Sequence, residues 1–176
     1  MGTIFVDNLE PQSGTNLTLG ASGDTVSLTS GAKTSGFGKI GQVVQGTTST
    51  EINSQSSSFA DTGLTATITP TSTSSKILCI VSQNGGRSQA DNNNNAINIR
   101  LVRGSTTIST FFMYSLYMGT GQDLYGATLA INYLDSPSTT SATTYKTQYA
   151  NYGAGGTIRL QDTAVMSAIT LMEILD

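Results

Sequence analysis

Thr62-Gly63-Leu64-Thr65-Ala66-Thr67-Ile68-Thr69 alternates apolar and hydroxyl side chains without a slip before Pro70 stops it. Successive residues of an extended strand face opposite sides, so this period puts Leu64, Ala66 and Ile68 on one buried face and the threonines in water. A helix would scatter the same side chains around its axis. The stretch predicts a half-buried strand, ended by a proline that cannot donate to a ladder.

Outward from it the extended pattern recurs. Lys76 to Ser82 holds the continuous apolar run Ile77-Leu78-Cys79-Ile80-Val81, which suits a central strand covered on both faces. Ala96 to Arg103 returns to alternation, with Asn98 and Arg100 expected outward, and Gly104-Ser105 reads as a hairpin turn into Thr107 to Met113. Ala127 to Leu134 and Thr143 to Tyr149 flank the turn-forming Asp135-Ser136-Pro137-Ser138, so these two strands are expected to pair as antiparallel neighbours. Gln42 to Gln45, Thr157 to Leu160 and Met166 to Ile174 bring the total to about eight strands, and Thr47 to Ser58 reads as a polar connection. The expectation is an all-β fold, an antiparallel β-sandwich of jelly-roll type, with helix almost absent.

Composition agrees. Charged residues make up 11% of the 176 residues and aromatics 7%, with 19 Gly and a remainder dominated by Thr, Ser and Asn, a mixture that favours strands and turns. The net charge is −3, and Lys33, Lys39, Lys76, Arg87, Arg100, Arg103, Lys146 and Arg159 are scattered. They form no stripe that could follow a phosphate backbone, so nucleic acid is not an expected partner. No run approaches the roughly 18 apolar residues of a membrane span, and no basic-then-apolar leader opens the chain, so neither membrane insertion nor a cleaved signal is expected. Cys79 has no second cysteine to pair with and reads as a buried thiol.

Ahead of the strand-rich part lies an echo: Gly14-Thr15-Asn16-Leu17-Thr18-Leu19, then Gly23-Asp24-Thr25-Val26-Ser27-Leu28. Leu17, Leu19, Val26 and Leu28 would line one face of a two-stranded ribbon. Such a ribbon is marginal alone and is expected to bury that face against identical copies of itself. Thr29 to Gly41 is a Gly/Ser-rich neck with Phe37 as its apolar plug. The organisation expected is an intertwined β stalk over 1–28, a neck over 29–41 and a β-sandwich knob over 42–176.

Chemistry is sparse. No histidine occurs, which removes Ser-His and Cys-His mechanisms and the commonest metal ligand. Asp61, Asp91, Asp123, Asp135, Asp162 and Glu173 could supply a two-carboxylate glycosidase, but nothing in their spacing pairs them. Gly36-Phe37-Gly38-Lys39-Ile40-Gly41 has the dinucleotide-fingerprint spacing without its preceding strand and following helix, so no nucleotide is assigned. No catalytic residue, metal or cofactor is expected, and the role is read as non-enzymatic. Recognition is expected in loops. Asn84 to Asn95 reads as a long polar loop in which Arg87, Asn92, Asn93 and Asn94 could hydrogen-bond sugar hydroxyls. A second connection, Tyr114 to Tyr125, would offer Tyr114 and Tyr117 as stacking faces.

Several segments resemble one family. Thr3-Ile4-Phe5-Val6-Asp7-Asn8-Leu9-Glu10-Pro11, Asp61 to Pro70 with Ser74-Ser75-Lys76-Ile77-Leu78, Leu134 to Ser141 with Thr144-Tyr145-Lys146, and Thr170-Leu171-Met172-Glu173-Ile174 are similar to tailed-bacteriophage fibre proteins, especially of marine and cyanobacterial phages. The resemblance implies a homotrimer on the virion exterior, held to other virion proteins by its N-terminal part and meeting a host surface glycan or protein with a distal β-rich head. A tail fibre that attaches the particle to its host is the function implied. A capsid-mounted fibre, or a decoration or cement protein that recognises no host, is the alternative.

Overall fold

The computed structural model describes residues 39–90, 95–119, 121–153 and 156–175. The ribbon with Leu17, Leu19, Val26 and Leu28, the neck residue Phe37, and Asn92, Asn93 and Asn94 lie outside them.

The described chain forms β1 (Ile40–Thr48), β2 (Ile52–Ser54), β3 (Ala60–Ile68), β4 (Lys76–Ala90), β5 (Asn95–Arg103), β6 (Thr106–Met118), β7 (Gln122–Asp135), β8 (Thr143–Asn151), β9 (Gly156–Leu160) and β10 (Ser167–Ile174). The helical content among these residues is one 3-10 turn, Asp162–Ala164. The alternating stretch at Thr62 is β3, with Thr62, Leu64, Ala66 and Ile68 buried and the residues between them exposed. Strand β2 sits inside the segment expected to be a plain connection.

β4 is the spine of the first sheet. One of its edges pairs with β7 from Ile77 to Ala90, while the other carries β10 along Lys76–Ser82 and then β9 along Arg87–Ala90. β9 and β10 therefore lie end to end, and β1 and β2 continue that arrangement outward by pairing with β10 and β9. The second sheet runs β3-β8-β5-β6, and every pairing in both sheets is antiparallel. With β1/β2 and β9/β10 each counted as one line, the ten strands become eight lines, ordered 1-8-3-6 and 2-7-4-5 in the two sheets. That is the strand order of a jelly roll, the expected fold.

In this order only β5 and β6 are joined as a hairpin; every other connection between lines crosses from sheet to sheet. The expected pairing of β7 with β8 is therefore corrected: β7 belongs to the first sheet and β8 lies between β3 and β5 in the second. Asp135 is what ties the crossing. Its Oδ2 accepts the Tyr145 hydroxyl and Arg103 Nη1, each at 2.7 Å, so the carboxylate at the end of β7 is held by residues of β8 and β5.

Both expected recognition loops are corrected as well, as far as the described residues reach. Arg87 lies within β4, which continues to Ala90 because β7 and β9 satisfy its backbone on both edges. The glycines that suggested a loop make a bulge instead. Gly85 has φ +62°, and a Cβ there would meet the Asp162 backbone nitrogen at 2.6 Å, so only glycine fits. Tyr114 and Tyr117 likewise lie within β6, which runs on to Met118.

Between the sheets lie two apolar clusters. Leu64, Ile68, Ile77, Cys79, Val81, Leu101, Tyr145, Ile169 and Leu171 form one, and Ile97, Ile99, Leu129, Tyr149, Ile158 and Leu160 form the other. Each buried Ile or Leu contributes about 2 kcal/mol. A polar seam also crosses from sheet to sheet. Thr147 Oγ1 donates to Gln83 Oε1 at 2.8 Å, Gln83 Nε2 donates to Ser167 Oγ at 3.1 Å, and Gln161 Nε2 donates to the same oxygen. Since Thr147 has spent its one hydroxyl proton on Gln83, the Thr62 hydroxyl must donate to Thr147. Gln161 Oε1 is left without a hydrogen-bond partner, but a shared buried network of this kind still disfavours a register slip, which would strand several polar groups together.

Candidate functional site

The strand directions separate two ends. β1 begins at one end, where Ile40 pairs with Ile174 and Lys39 O accepts the Leu175 amide at 2.7 Å. The strand ends flanking the β2–β3, β4–β5, β6–β7 and β8–β9 connections all lie at the other, here the loop end.

Exposed aromatic side chains gather there. Tyr114, Tyr117, Tyr125 and Tyr152 are 45–60% exposed, and each lies near the loop end. Tyr152 is the hub of three: its ring meets Tyr114 edge-on, with centroids 4.2 Å apart and planes at 80°, and meets Tyr117 at 6.4 Å. Offset and edge contacts of this kind are favourable and leave ring faces free.

Buried amides hold the cluster in place. β6 bulges as it approaches Tyr114, which has φ +58°, a left-handed conformation that costs a tyrosine energy. Asn98 Oδ1 accepts the Tyr114 amide at 3.0 Å and so fixes it. Asn98 does point away from the core, as expected, yet it is only 8% exposed because β6 covers it. Behind Tyr152, the Asn151 side chain donates to Gly156 O at 2.8 Å and accepts the Gly153 amide at 3.1 Å, while the Tyr152 amide bonds to Ala96 O. The rings thus sit on a braced backbone before any ligand arrives.

The outer face of the second sheet carries a polar track. Arg100 lies 4.1 Å over the Phe59 ring and donates twice to Gln148 Oε1, at 2.9 and 2.7 Å. Gln148 Nε2 donates to Asp61, which also receives Lys146 Nζ at 2.8 Å. The Lys146 hydrogen bond holds the Asp61 carboxyl below the usual carboxylate range.

Arg87 is elsewhere, on the outer face of the first sheet. Its Nε and Nη2 fork onto Asp123 at 3.1 and 2.6 Å, its Nη2 also reaches Tyr125 Oη at 2.9 Å, and its guanidinium lies 4.3 Å from the Tyr125 ring centroid. Those bonds raise the Arg87 pKa and lower that of Asp123. Arg87 is therefore occupied by its own neighbours.

Of the contact residues expected from sequence, Tyr114 and Tyr117 come together, Arg87 is on a different sheet, and Asn92, Asn93 and Asn94 lie outside the described residues. Tyr152 and Tyr125 were missed. The turn-forming Asn151 and Gly153 on either side of Tyr152 were the available signal, since an aromatic between turn residues is set at a surface. The cluster offers ring faces and phenol hydroxyls, which suits an uncharged, hydroxyl-rich ligand. Among the described residues no group of three or more His, Cys, Asp or Glu side chains could hold a metal ion.

No family model matches the chain, and no curated protein matches it at a significant level. Among solved structures it is similar to a chain of infectious bursal disease virus Gx strain, with 11% identity and a TM-score of 0.40 over 76% of this chain and 32% of that one. It is also similar to a chain of the Gt strain, with 11% identity and a TM-score of 0.37 over 87% of this chain and 42% of that one. This chain spans less than half the length of either. Both likenesses are too distant to bear on function.

Proposed function

We propose that this chain is a structural protein of a virion exterior, a homotrimeric tail fibre whose β-sandwich head attaches the particle to the host surface through its loop end. One observation carries the reading: the four exposed tyrosines lie at the end of the sandwich opposite the one where β1 begins. A fibre head needs that polarity, with anchorage at one end and recognition at the other. The fibre-like sequence segments support the same assignment.

The ligand class is a neutral surface glycan. Sugar rings present C–H faces that lie against tyrosine and hydroxyls that bond to amides and phenols. Binding by one such patch is weak, and presenting three or more together can raise apparent affinity by about 10²–10⁴ without a new contact. The role is binding without turnover: Asp61, Asp123, Asp135 and Glu173 are each engaged in hydrogen bonds that position strands or side chains.

The test is Tyr114→Ala with Tyr117→Ala in the full chain, read as adsorption of purified protein to host cells. Loss of two ring contacts is expected to weaken adsorption at least about tenfold, with assembly mass and unfolding temperature held. Unchanged adsorption would leave the capsid-fibre or cement alternative in its place.

A further inference from the structure

We propose that the outer face of the first sheet, near the end where β1 begins, is the contact between copies of this chain. The inference rests on the homotrimer reading above and names the surface that would carry it.

A sheet with one face on the core should turn polar side chains to water. Here the register builds an apolar row straight across: Val43 pairs with Met172, Met172 with Leu78, and Leu78 with Leu134. All four point away from the core, since Leu171, Ile77, Cys79 and Asp135 beside them are buried inward. Ile80 and Ile40 extend the row to either side. Ile40, Val43 and Leu134 are 50–55% exposed and Ile80 is 38% exposed, each far above what a satisfied apolar side chain shows. Apolar residues scattered singly over a surface mean nothing, but a contiguous row spanning a sheet marks an interaction site.

A second copy is the occupant that fits. Around the row the outward positions of the sheet carry one charge, Lys76, with Gln45, Thr170 and Asn132 otherwise neutral, so there is no pattern by which a charged partner would be selected. Aliphatic, uncharged patches are what contacts between identical subunits are made of. Position argues the same way. The first 38 residues reach the sandwich at Lys39 and Ile40, at the rim of the row, where Ile40 pairs with Ile174. Copies joined through those residues would hold this end of the sheet near that of their neighbours, and a cyclic assembly closes when each copy meets both neighbours.

The test labels a thiol placed in the row. The native Cys79 is fully buried and its thiol is pushed up to about 12 by burial, so it is silent to iodoacetamide. In the full chain, Leu134→Cys is compared with Thr110→Cys on the exposed outer face of β6, and each variant's mass is measured by light scattering. The expected result is a trimer in which the thiol at 134 reacts at least about tenfold more slowly than that at 110 and catches up once the trimer is dissociated. Ile80→Cys should repeat the result, covering any local misfolding at 134. A trimer with both positions equally reactive would overturn the surface while leaving the trimer. A monomer with both reactive would overturn both. A monomer in which 134 alone is protected would assign the row to the chain's own first residues, and it too overturns the proposal.

Discussion

At the loop end the large exposed side chains include Tyr114, Tyr117, Tyr125 and Tyr152; on the outer face of the first sheet toward the other end they are Ile40, Val43, Ile80 and Leu134. Both sets are apolar by area, and they ask for different partners. An aliphatic side chain gains only by leaving water, so it suits a permanent, shape-matched neighbour. A tyrosine offers a face and a hydroxyl together, so it can hold a hydrated ligand and release it. The proposals above divide a single domain along that difference, into a region for assembly and one for recognition.

The largest effect that sharpens the contrast should come from Asp135→Ala, near the aliphatic end. It leaves the Tyr145 hydroxyl buried without its acceptor and Arg103 without its counter-charge. A cost of about 3 kcal/mol is expected, between that of an orphaned donor and that of a broken buried ion pair. Chemical unfolding measures it. Glycan binding by the protein that remains folded should match the parent, and a parallel loss of binding would show that the two ends are one cooperative site.

Next comes Tyr152→Ala, at the other pole. Tyr114 and Tyr117 both lean on this ring, so removing it should weaken adsorption to host cells by roughly 30-fold, about 2 kcal/mol, the scale of an interface hot spot. Stability should fall by less than about 1 kcal/mol, since the ring is 45% exposed. The opposite split, a large stability loss with normal adsorption, would make the cluster a structural staple.

Acid distinguishes the ends more gently. Burial pushes the Glu173 carboxyl up, but hydrogen bonds from Gln42 and from the Thr71 amide and hydroxyl outweigh it and hold the group below its ordinary 4.5. A carboxyl lowered on folding stabilises fully above its ordinary value and loses that contribution as pH falls through the lowered one. Unfolding should therefore become easier below about pH 4.5, and Glu173→Gln should flatten that limb while costing about 1 to 2 kcal/mol at neutral pH. An acid limb unchanged by the substitution would point to Asp123 and Asp61, the lowered carboxyls outside this end.

How far these features were legible depended on whether a local pattern or a distant partner decided them. β3 could be read from Leu64, Ala66 and Ile68 alone, and β4 from its run to Val81, because burial there follows periodicity. The second half of β4 could not. Asn84-Gly85-Gly86-Arg87-Ser88 has the composition of a loop, and it is a strand because β7 and β9 arrive on its two edges from residues far along the chain. Pairing overrode propensity. Asp135 to Ser138 failed similarly: turn residues say that the chain bends, not whether it bends within a sheet or across to the other. The tyrosine cluster was half visible, since Tyr114 and Tyr117 stood out while Tyr152 joins them only through the register of β8 against β5.

The smallest effect tests where the recognising surface stops. Arg87 was the one charged residue the sequence offered as a ligand contact, and the fold gives its donors to Asp123 and Tyr125, with Asp162 3.8 Å from its third nitrogen. It also stands opposite Arg159, a like charge that Glu51 meets at 3.0 Å, so each guanidinium of the ribbon has a carboxylate of this chain beside it. If Arg87 is a brace, Arg87→Lys keeps the charge but loses the fork and the stacking on Tyr125, at a cost of about 1 kcal/mol in unfolding because the pair is partly open to solvent. Adsorption should then stay within about twofold of the parent if binding rests on the Tyr114, Tyr117 and Tyr152 cluster, which lies with the other sheet and away from Arg87. A fall in adsorption as deep as that of Tyr152→Ala, with the unfolding curve unmoved, would mean instead that Arg87 exchanges Asp123 for a ligand. The recognising surface would then extend from Tyr125 along the outer face of the first sheet, toward the row proposed for assembly, and the division between the two regions would fail at that residue.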